Sequence, residues 1–298
     1  MSLALRRRAE LSPEELAKLD GELAAFYTKP LAGYYQRADE AAQHYNPKEQ
    51  PFHCDLAGRV FPGASVLEFG CGTAHLCPRV EERGGRYTGI DFNQQLLEDN
   101  RRRFPQGRFF QIGTPIAETF DLVASLYTIE HVVDPPAYLE RMWRYCRPGG
   151  LVAVICPDFI ESPTLPPSFF YGRTPRRLRE KLQTFSLLDA GSHWLDLKVR
   201  GPAWKQRAQE SPPGAFWINL RPSILHGADY SIDADAVHLP RLKDLVWFFE
   251  QKGAAVLQTS AKMPGIAADI LRFNCYVLAQ KPALANGATG QNDNLRNP

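Results

Sequence analysis

Glu68, Gly70, Gly72 and Asp91 are the residues whose types and spacing point most directly to chemistry. They lie in Ala64-Ser-Val-Leu-Glu-Phe-Gly-Cys-Gly-Thr-Ala74 and, about one βαβ unit later, in Tyr87-Thr-Gly-Ile-Asp91. The apolar run Val66 to Phe69 ends in Gly70-Cys71-Gly72, and Leu76 and Val80 follow at helical spacing. That reads as a buried strand, a tight turn and a helix. Glycines in such a turn let a ligand approach the backbone where a side chain would collide. A carboxylate closing the second strand can take both hydroxyls of a ribose. The chemistry implied is the binding of a nucleoside-containing cofactor at the carboxyl ends of the first strands. Glu68 would repel a pyrophosphate but suits a cationic ligand. His75 fills the third glycine position of a dinucleotide fingerprint, which disfavours a nicotinamide enzyme. No Gly-Lys-Ser/Thr follows, as a phosphate-binding P-loop would require. Taken singly, Glu68 also reads as a solvated strand-end residue and Asp91 as a helix cap.

Further along come Phe-Asp-Leu-Val-Ala-Ser (120–125), Ile-Glu-His-Val-Val-Asp-Pro (129–135) and Arg-Pro-Gly-Gly-Leu (147–151). With Val-Leu-Glu-Phe-Gly-Cys-Gly-Thr (66–73) and Gly-Ile-Asp (89–91), in this order and at these spacings, the chain resembles the class I S-adenosylmethionine-dependent methyltransferases. The resemblance covers roughly Ala64 to Pro157 and, more weakly, Leu239 to Lys281. It implies S-adenosylmethionine as cofactor and S-adenosylhomocysteine as product. Glu68, Gly70 and Gly72 would then flank the methionine part, Asp91 would hold the ribose, and Phe92 would lie against adenine. Gly113 and Thr114 would border the adenine edge, and Tyr127 would join the cofactor residues. Ala74 stands where the family often has a third glycine. Some ubiquinone-pathway relatives carry Glu-x-x-Glu-His and use a metal; here Tyr127 replaces the first Glu, so no metal is expected.

Methyl transfer is an in-line displacement that needs alignment and a dry site. An alcohol acceptor also needs a base as its proton leaves. His131, in Tyr127-Thr-Ile-Glu130-His131, is the candidate, because an ordinary imidazole titrates near neutrality. A structural role for this Glu-His pair is the alternative. Tyr34, His193, Trp194, Trp217, His226, Tyr230 and His238 are candidates for holding a small-molecule acceptor. His193, His226 and His238, with Asp229, Asp233 and Asp235, match no metal-binding spacing. Arg173-Thr-Pro-Arg-Arg-Leu-Arg-Glu-Lys181 could grip a phosphate, a carrier protein or RNA, or could be a solvated helix face.

These residues need a scaffold. The strands Val66–Phe69, Tyr87–Ile90, Arg108–Ile112, Leu122–Leu126 and Val152–Cys156 alternate with helical patterns, which implies a parallel sheet with helices on both faces. Asp134 caps and Pro135 opens the helix after the fourth strand. A helix over Pro240–Gln251 and strands over Ala255–Thr259 and Leu271–Leu278 complete the pattern, the last antiparallel. The expected fold is α/β: a doubly wound, mixed seven-stranded Rossmann-like sheet. It carries an N-terminal helical cap (1–50), the cofactor-binding core (51–156) and an inserted, proline- and aromatic-rich substrate-binding subdomain (157–236). The rest of the core (237–283) and a disordered tail (284–298) follow. Residues 1–12 read as frayed, Ser12-Pro13-Glu14-Glu15 as a helix start, and Leu31 to Tyr45 as a second helix.

The 298 residues, 44% hydrophobic, support a sizeable core. A net charge of +2 argues against a general grip on nucleic acid. Six scattered cysteines form neither a disulfide framework nor a metal set, so a reducing cytoplasm is expected. No long apolar stretch predicts a signal peptide, a span or a membrane partner. The expected function is transfer of a methyl group to oxygen or nitrogen of a small molecule of secondary-metabolite, antibiotic or glycan-precursor type. An RNA or protein methyltransferase and a non-catalytic cofactor-binding subunit are the alternatives.

Overall fold

In chain order the elements begin with β1 (Leu5–Arg7) and α1 (Pro13–Thr28). Ser12 Oγ accepts from Glu15 N at 3.2 Å while the Glu15 carboxylate accepts from Ser12 N at 2.9 Å. This reciprocal cap starts α1 where the sequence places it. The structure is a computed structural model and describes residues 4–28, 50–229 and 231–284. The expected helix over Leu31–Tyr45, Tyr34 and Tyr230, and the tail beyond 284 lie outside the described residues.

Next come α2 (Pro51–Gly58), β2 (Ser65–Phe69), α3 (Leu76–Glu82), β3 (Arg86–Asp91), α4 (Gln94–Arg103), β4 (Arg108–Gln111), β5 (Phe120–Leu126), α5 (Pro135–Tyr145) and β6 (Cys146–Pro157). The insertion supplies α6 (Leu178–Gln183), α7 (Leu187–Leu195), α8 (Gly201–Glu210) and β7 (Trp217–Asn219). The chain closes with β8 (His238–Leu239), α9 (Leu242–Gln251), β9 (Ala255–Thr259), α10 (Ala268–Phe273) and β10 (Asn274–Gln280).

The main sheet has seven strands in the order β4-β3-β2-β5-β6-β10-β9. The five strands from β2 to β6 are parallel, and β10 runs antiparallel to both β6 and β9. Both faces are covered, as a parallel sheet requires. Leu67 and Phe69 of β2 pack with Tyr138, Leu139, Met142 and Phe249 on one face. Val66 packs with Leu56, Leu76, Val80 and Leu97 on the other. The order reverses between β2 and β5, so the crevice for a ligand opens at their carboxyl ends.

Two expectations are corrected here. Leu271–Phe273 are helical, not strand: Leu271 N donates to Ala267 O, and Asn274 Nδ2 donates to Ile270 O, so β10 begins only at Asn274. Residues 4–12 are ordered, not frayed. β1 pairs antiparallel with β7, which pairs with β8, in a second sheet of three strands. Leu5 is buried among Phe159, Trp204, Trp217 and Leu239, and that burial holds the segment. The N-terminus and the insertion therefore share one small core.

Candidate active site

The carboxyl ends of β2, β3 and β5 and the underside of α1 enclose a cavity of about 710 Å³. One wall is made by the turn after β2. Gly70 N and Cys71 N both donate to Ile90 O, at 2.8 and 3.0 Å, which ties the turn to β3. Gly70 has φ +68°, and a Cβ there would lie 2.2 Å from Thr128 Cγ2. Only glycine fits. Gly72 (φ +47°) and Gly113 (φ +92°) also line the cavity, and a Cβ at either would meet nothing within 4 Å. Their backbones are bared toward the cavity. Cys71 packs against Gly89, and burial pushes its thiol well above the usual range, which makes it a packing residue.

Asp91 stands at the end of β3 in the same wall. One carboxylate oxygen accepts from Gly72 N at 2.8 Å and the other from Asn93 N at 2.9 Å. Burial raises its pKa, against the lowering pull of the N–H groups of Asn93, Gly72 and Phe92. The cap of α4 is Asn93, whose side chain accepts from Leu96 N at 3.0 Å. Phe92 also lines the cavity and is 42% exposed, an aromatic face left open. Glu68 and Thr114 depart from expectation. Glu68 is buried behind the turn and accepts from Tyr87 Oη. Burial, reinforced by Asp91, raises its pKa to about 8 despite the Tyr87 hydrogen bond. Thr114 is exposed, and neither residue belongs to the cavity wall.

The opposite wall follows β5. Tyr127 takes φ +48°, donates to Asn274 Oδ1 at 2.9 Å and stacks on His53 at 5.6 Å between ring centroids. Thr128, His131, Val132, Val133 and Asp134 continue the wall. His131 Nδ1 lies 3.2 Å from Asp235 Oδ2, and its Nε2 lies 3.9 Å from Glu130 Oε1. Tyr27 of α1 donates to the same Asp235 Oδ2 at 2.6 Å. Glu130 is 1% exposed, and neither of its carboxylate oxygens has a hydrogen-bond partner among the described residues. Asp235 reaches this wall because Val237 N donates to Glu130 O at 2.8 Å, laying the end of the insertion along the loop after β5.

This cluster corrects the expected state of His131. Burial disfavours its charged form, but Asp235, by charge and hydrogen bonding, together with Glu130 and Asp233, raises its pKa to about 10. The imidazole is therefore charged at neutral pH. Burial pushes Glu130 and Asp233 upward, and the imidazolium opposes that shift in both. Donor atoms of Glu130, His131 and Asp233 lie within 4.8 Å of one another, close enough to hold a cation in exchange for the His131 proton.

The expected acceptor residues that are described stand away from the cavity. Trp217 is buried edge-on against Trp204, 5.4 Å between centroids, in the core of the small sheet. His238 is fully buried, with Nδ1 3.2 Å from Ile129 O, and burial lowers its pKa to about 3. His193 is tucked against Tyr171, His226 lies on the surface beside Phe170, and Trp194 faces solvent. Aromatic content was the sign for Trp194 and Trp217, and in a small subdomain much of it is spent on the core; place in the chain was the sign for the histidines. The cavity wall contains instead Leu16, Asp20, Leu23 and Tyr27 of α1, with Tyr138 and Arg141 of α5. Tyr138 and Arg141 fall one helical turn apart on the well-marked helix after Asp134. Asp235 carries no local signal.

A family model described as a methyltransferase domain matches residues 42–259. A ubiquinone biosynthesis O-methyltransferase of Sodalis glossinidius is 27% identical over 158 residues, which are 50% of this chain and 61% of that protein. A malonyl-[acyl-carrier protein] O-methyltransferase of Serratia marcescens is 32% identical over 100 residues, 32% of this chain and 39% of that one. The chain thus spans 61% and 39% of the length of these two relatives. Among solved structures, a Burkholderia thailandensis 1,6-didemethyltoxoflavin-N1-methyltransferase with bound 1,6-didemethyltoxoflavin and S-adenosylhomocysteine is similar over 91% of both chains. It has a TM-score of 0.51 and 13% identity, a likeness of fold.

Proposed function

The chain belongs to the methyltransferase-domain family, and from that premise we propose that it moves a methyl group from S-adenosylmethionine to an oxygen or nitrogen of a small molecule. The observation that carries the reading is the wall where Asp91, Phe92 and the bared backbones of Gly72 and Gly113 face one cavity of about 710 Å³. That volume suits a nucleoside-sized ligand together with a small acceptor. Asp91 would hold the ribose hydroxyls, and Phe92 would offer its face to the base. When bound, the cofactor supplies an electrophilic methyl group on a sulfonium.

The rest is the work of this chain. α1 roofs the cavity with Leu16, Leu23 and Ala24, which exclude water from the transfer. The loop after β5 holds the acceptor side, and His131 is the group there that can handle a proton. As an imidazolium it orients an acceptor oxygen; the fraction of His131 that has released its proton to solvent is the base that takes the acceptor's proton as the methyl group is transferred. Asp235 holds the imidazolium and so keeps that fraction small at neutral pH. The insertion serves the acceptor wall through Asp233 and Asp235, and its buried aromatics Phe159, Trp204 and Trp217 build its own core. The names of the relatives favour oxygen as the acceptor atom, and that of the structural neighbour favours nitrogen. Six unpaired cysteines fit a reducing, cytoplasmic setting.

Calorimetry with S-adenosylhomocysteine tests the cofactor half. Binding is expected, with none of NAD. Asp91→Ala should weaken it by about 1–3 kcal/mol, because a charged partner of two hydroxyls is lost. Full affinity in that variant, with its fold intact, would remove Asp91 from the site.

A further inference from the structure

The insertion carries a helix built with its polar face inward. Along α7 and the turn after it, Asp189, His193 and Asp196 are buried, while Leu187, Leu188 and Trp194 are 65%, 78% and 55% exposed. Leu182, Phe185, Leu197 and Val199 extend the exposed apolar surface on either side. A surface helix ordinarily does the reverse.

The inward polar face has a physical cause. Asp189 accepts from Arg173 N at 2.5 Å, from Thr174 Oγ1 at 2.6 Å and from the fully buried Lys181 Nζ at 3.2 Å. Asp196 accepts from Gly172 N at 2.8 Å and from Arg200 at 2.9 Å. A Cβ at Gly172 would sit 2.4 Å from Asp189 Oδ1, so the acid is seated hard on this turn. The acids bolt α7 onto the backbone of residues 172–174, and the helix cannot roll to bury its leucines. Phe185, between α6 and α7, is 86% exposed and held at φ +53°, a conformation a bulky residue rarely takes. The apolar surface is fixed in place and presented outward.

The exposed charges around it are predominantly basic. Arg173, Arg176, Arg177, Arg179 and Lys198 are exposed, and Glu180 is the one exposed acid between residues 173 and 200. We propose that α6, α7 and the turn to Val199 form a peripheral docking surface for an anionic lipid bilayer. Phe185, Leu187, Leu188 and Trp194 enter the headgroup boundary, and the arginines pair with lipid phosphates. Aromatic and leucine side chains beside a basic rim are the chemistry that such an interface takes. A second copy of this chain fits less well, because a two-fold contact would set the basic rim against itself. No membrane-crossing helix is needed, and none of the described helices is long and apolar enough to be one. The proposal departs from the expectation of no membrane partner, which rests on the lack of a span.

Vesicle flotation tests this, with full-length protein and phosphatidylcholine vesicles with and without about one-third phosphatidylglycerol. The protein should float with the anionic vesicles alone and be released at high salt. A Leu188→Ser/Trp194→Ser variant and an Arg176→Glu/Arg177→Glu variant should each lose about tenfold or more in partitioning. Both should keep their affinity for S-adenosylhomocysteine, since none of these side chains lines the cavity. Equal behaviour on the two vesicle types, or wild-type flotation by both variants, would overturn the proposal. So would sedimentation velocity showing a dimer that Leu188→Ser/Trp194→Ser abolishes, in a protein that ignores both vesicles.

Discussion

The two walls of the cavity are made of different material. The wall of Gly70, Gly72, Asp91 and Gly113 is largely backbone: two bared glycines, a turn tied to Ile90 O, and one carboxylate fixed by two N–H groups. The wall of Tyr27, His131, Glu130 and Asp235 is side chains, and the Tyr27–Asp235 hydrogen bond joins residues 208 apart in sequence. The first wall needs only correct local geometry. The second, with Asp233 beside it, gathers three acids and an imidazole in a buried place, which costs stability unless every charge is paired. Glu130, neither of whose oxygens has a hydrogen-bond partner among the described residues, shows that the polar groups there are not all satisfied. The wall proposed for recognition is rigid, with one carboxylate held in place by backbone N–H groups, whereas the wall proposed for reaction carries groups whose protonation can change.

The sharpest way to break this contrast is at His131. In His131→Ala, turnover should fall by about two to four orders of magnitude while cofactor affinity holds. Loss of both would mean that the two walls are one unit. The pH dependence gives a second reading. A base must be neutral, and the neutral form of His131 grows as pH rises through about 10. Turnover should therefore climb with pH well above neutrality. A profile already flat at pH 7 would show that His131 is not the proton acceptor, or that the acceptor displaces Asp235 on binding.

A smaller effect is expected where the walls touch. Gly70 and Thr128 meet so closely that Gly70→Ala should cost roughly 2–4 kcal/mol, from strain at positive φ plus overpacking. Chemical denaturation measures this. Thr128→Ala in the same chain should restore part of it, because the Cγ2 and Oγ1 atoms nearest the new methyl group are gone. A full, uncompensated loss would place the strain within the turn itself.

The same contrast explains what could be read from the chain. The strands β2 to β5 fall within two residues of their expected ends, because each is a short apolar run stopped by glycine, a carboxylate or a polar turn. Gly70, Gly72 and Asp91 were legible for the same reason, since backbone geometry leaves its mark on neighbouring residues. β1 was not, because three residues with one buried leucine make no pattern, and its partner β7 lies more than two hundred residues away. Nor was the pairing of His131 with Asp235, which depends on Val237 N meeting Glu130 O. His131 could be named from its place after β5, but its charge state belongs to residues that only the fold brings near. Trp217 misled because an aromatic side chain fills a core as readily as it lines a pocket.

The finest probe of the reacting wall is the Tyr27 hydroxyl. It donates to Asp235 Oδ2, the oxygen that also faces His131 Nδ1. Tyr27→Phe removes one charge-assisted hydrogen bond and should lower stability at pH 7 by about 1 kcal/mol, read by urea denaturation. The pH dependence carries more information. The pKa of His131 is raised in the folded protein from 6.5 to about 10. The stabilisation from its proton is therefore fully present below about 6.5 and is lost as pH rises through about 10. Without the tyrosine donor, Asp235 loses one hydrogen bond to its charge and holds the imidazolium more tightly. The upper edge of that window should move higher, and the alkaline rise in turnover should move with it. If Tyr27→Phe lowers stability while both edges stay fixed, Asp235 is not the residue that sets the charge on His131, and the reacting wall is governed by Glu130 and Asp233 instead.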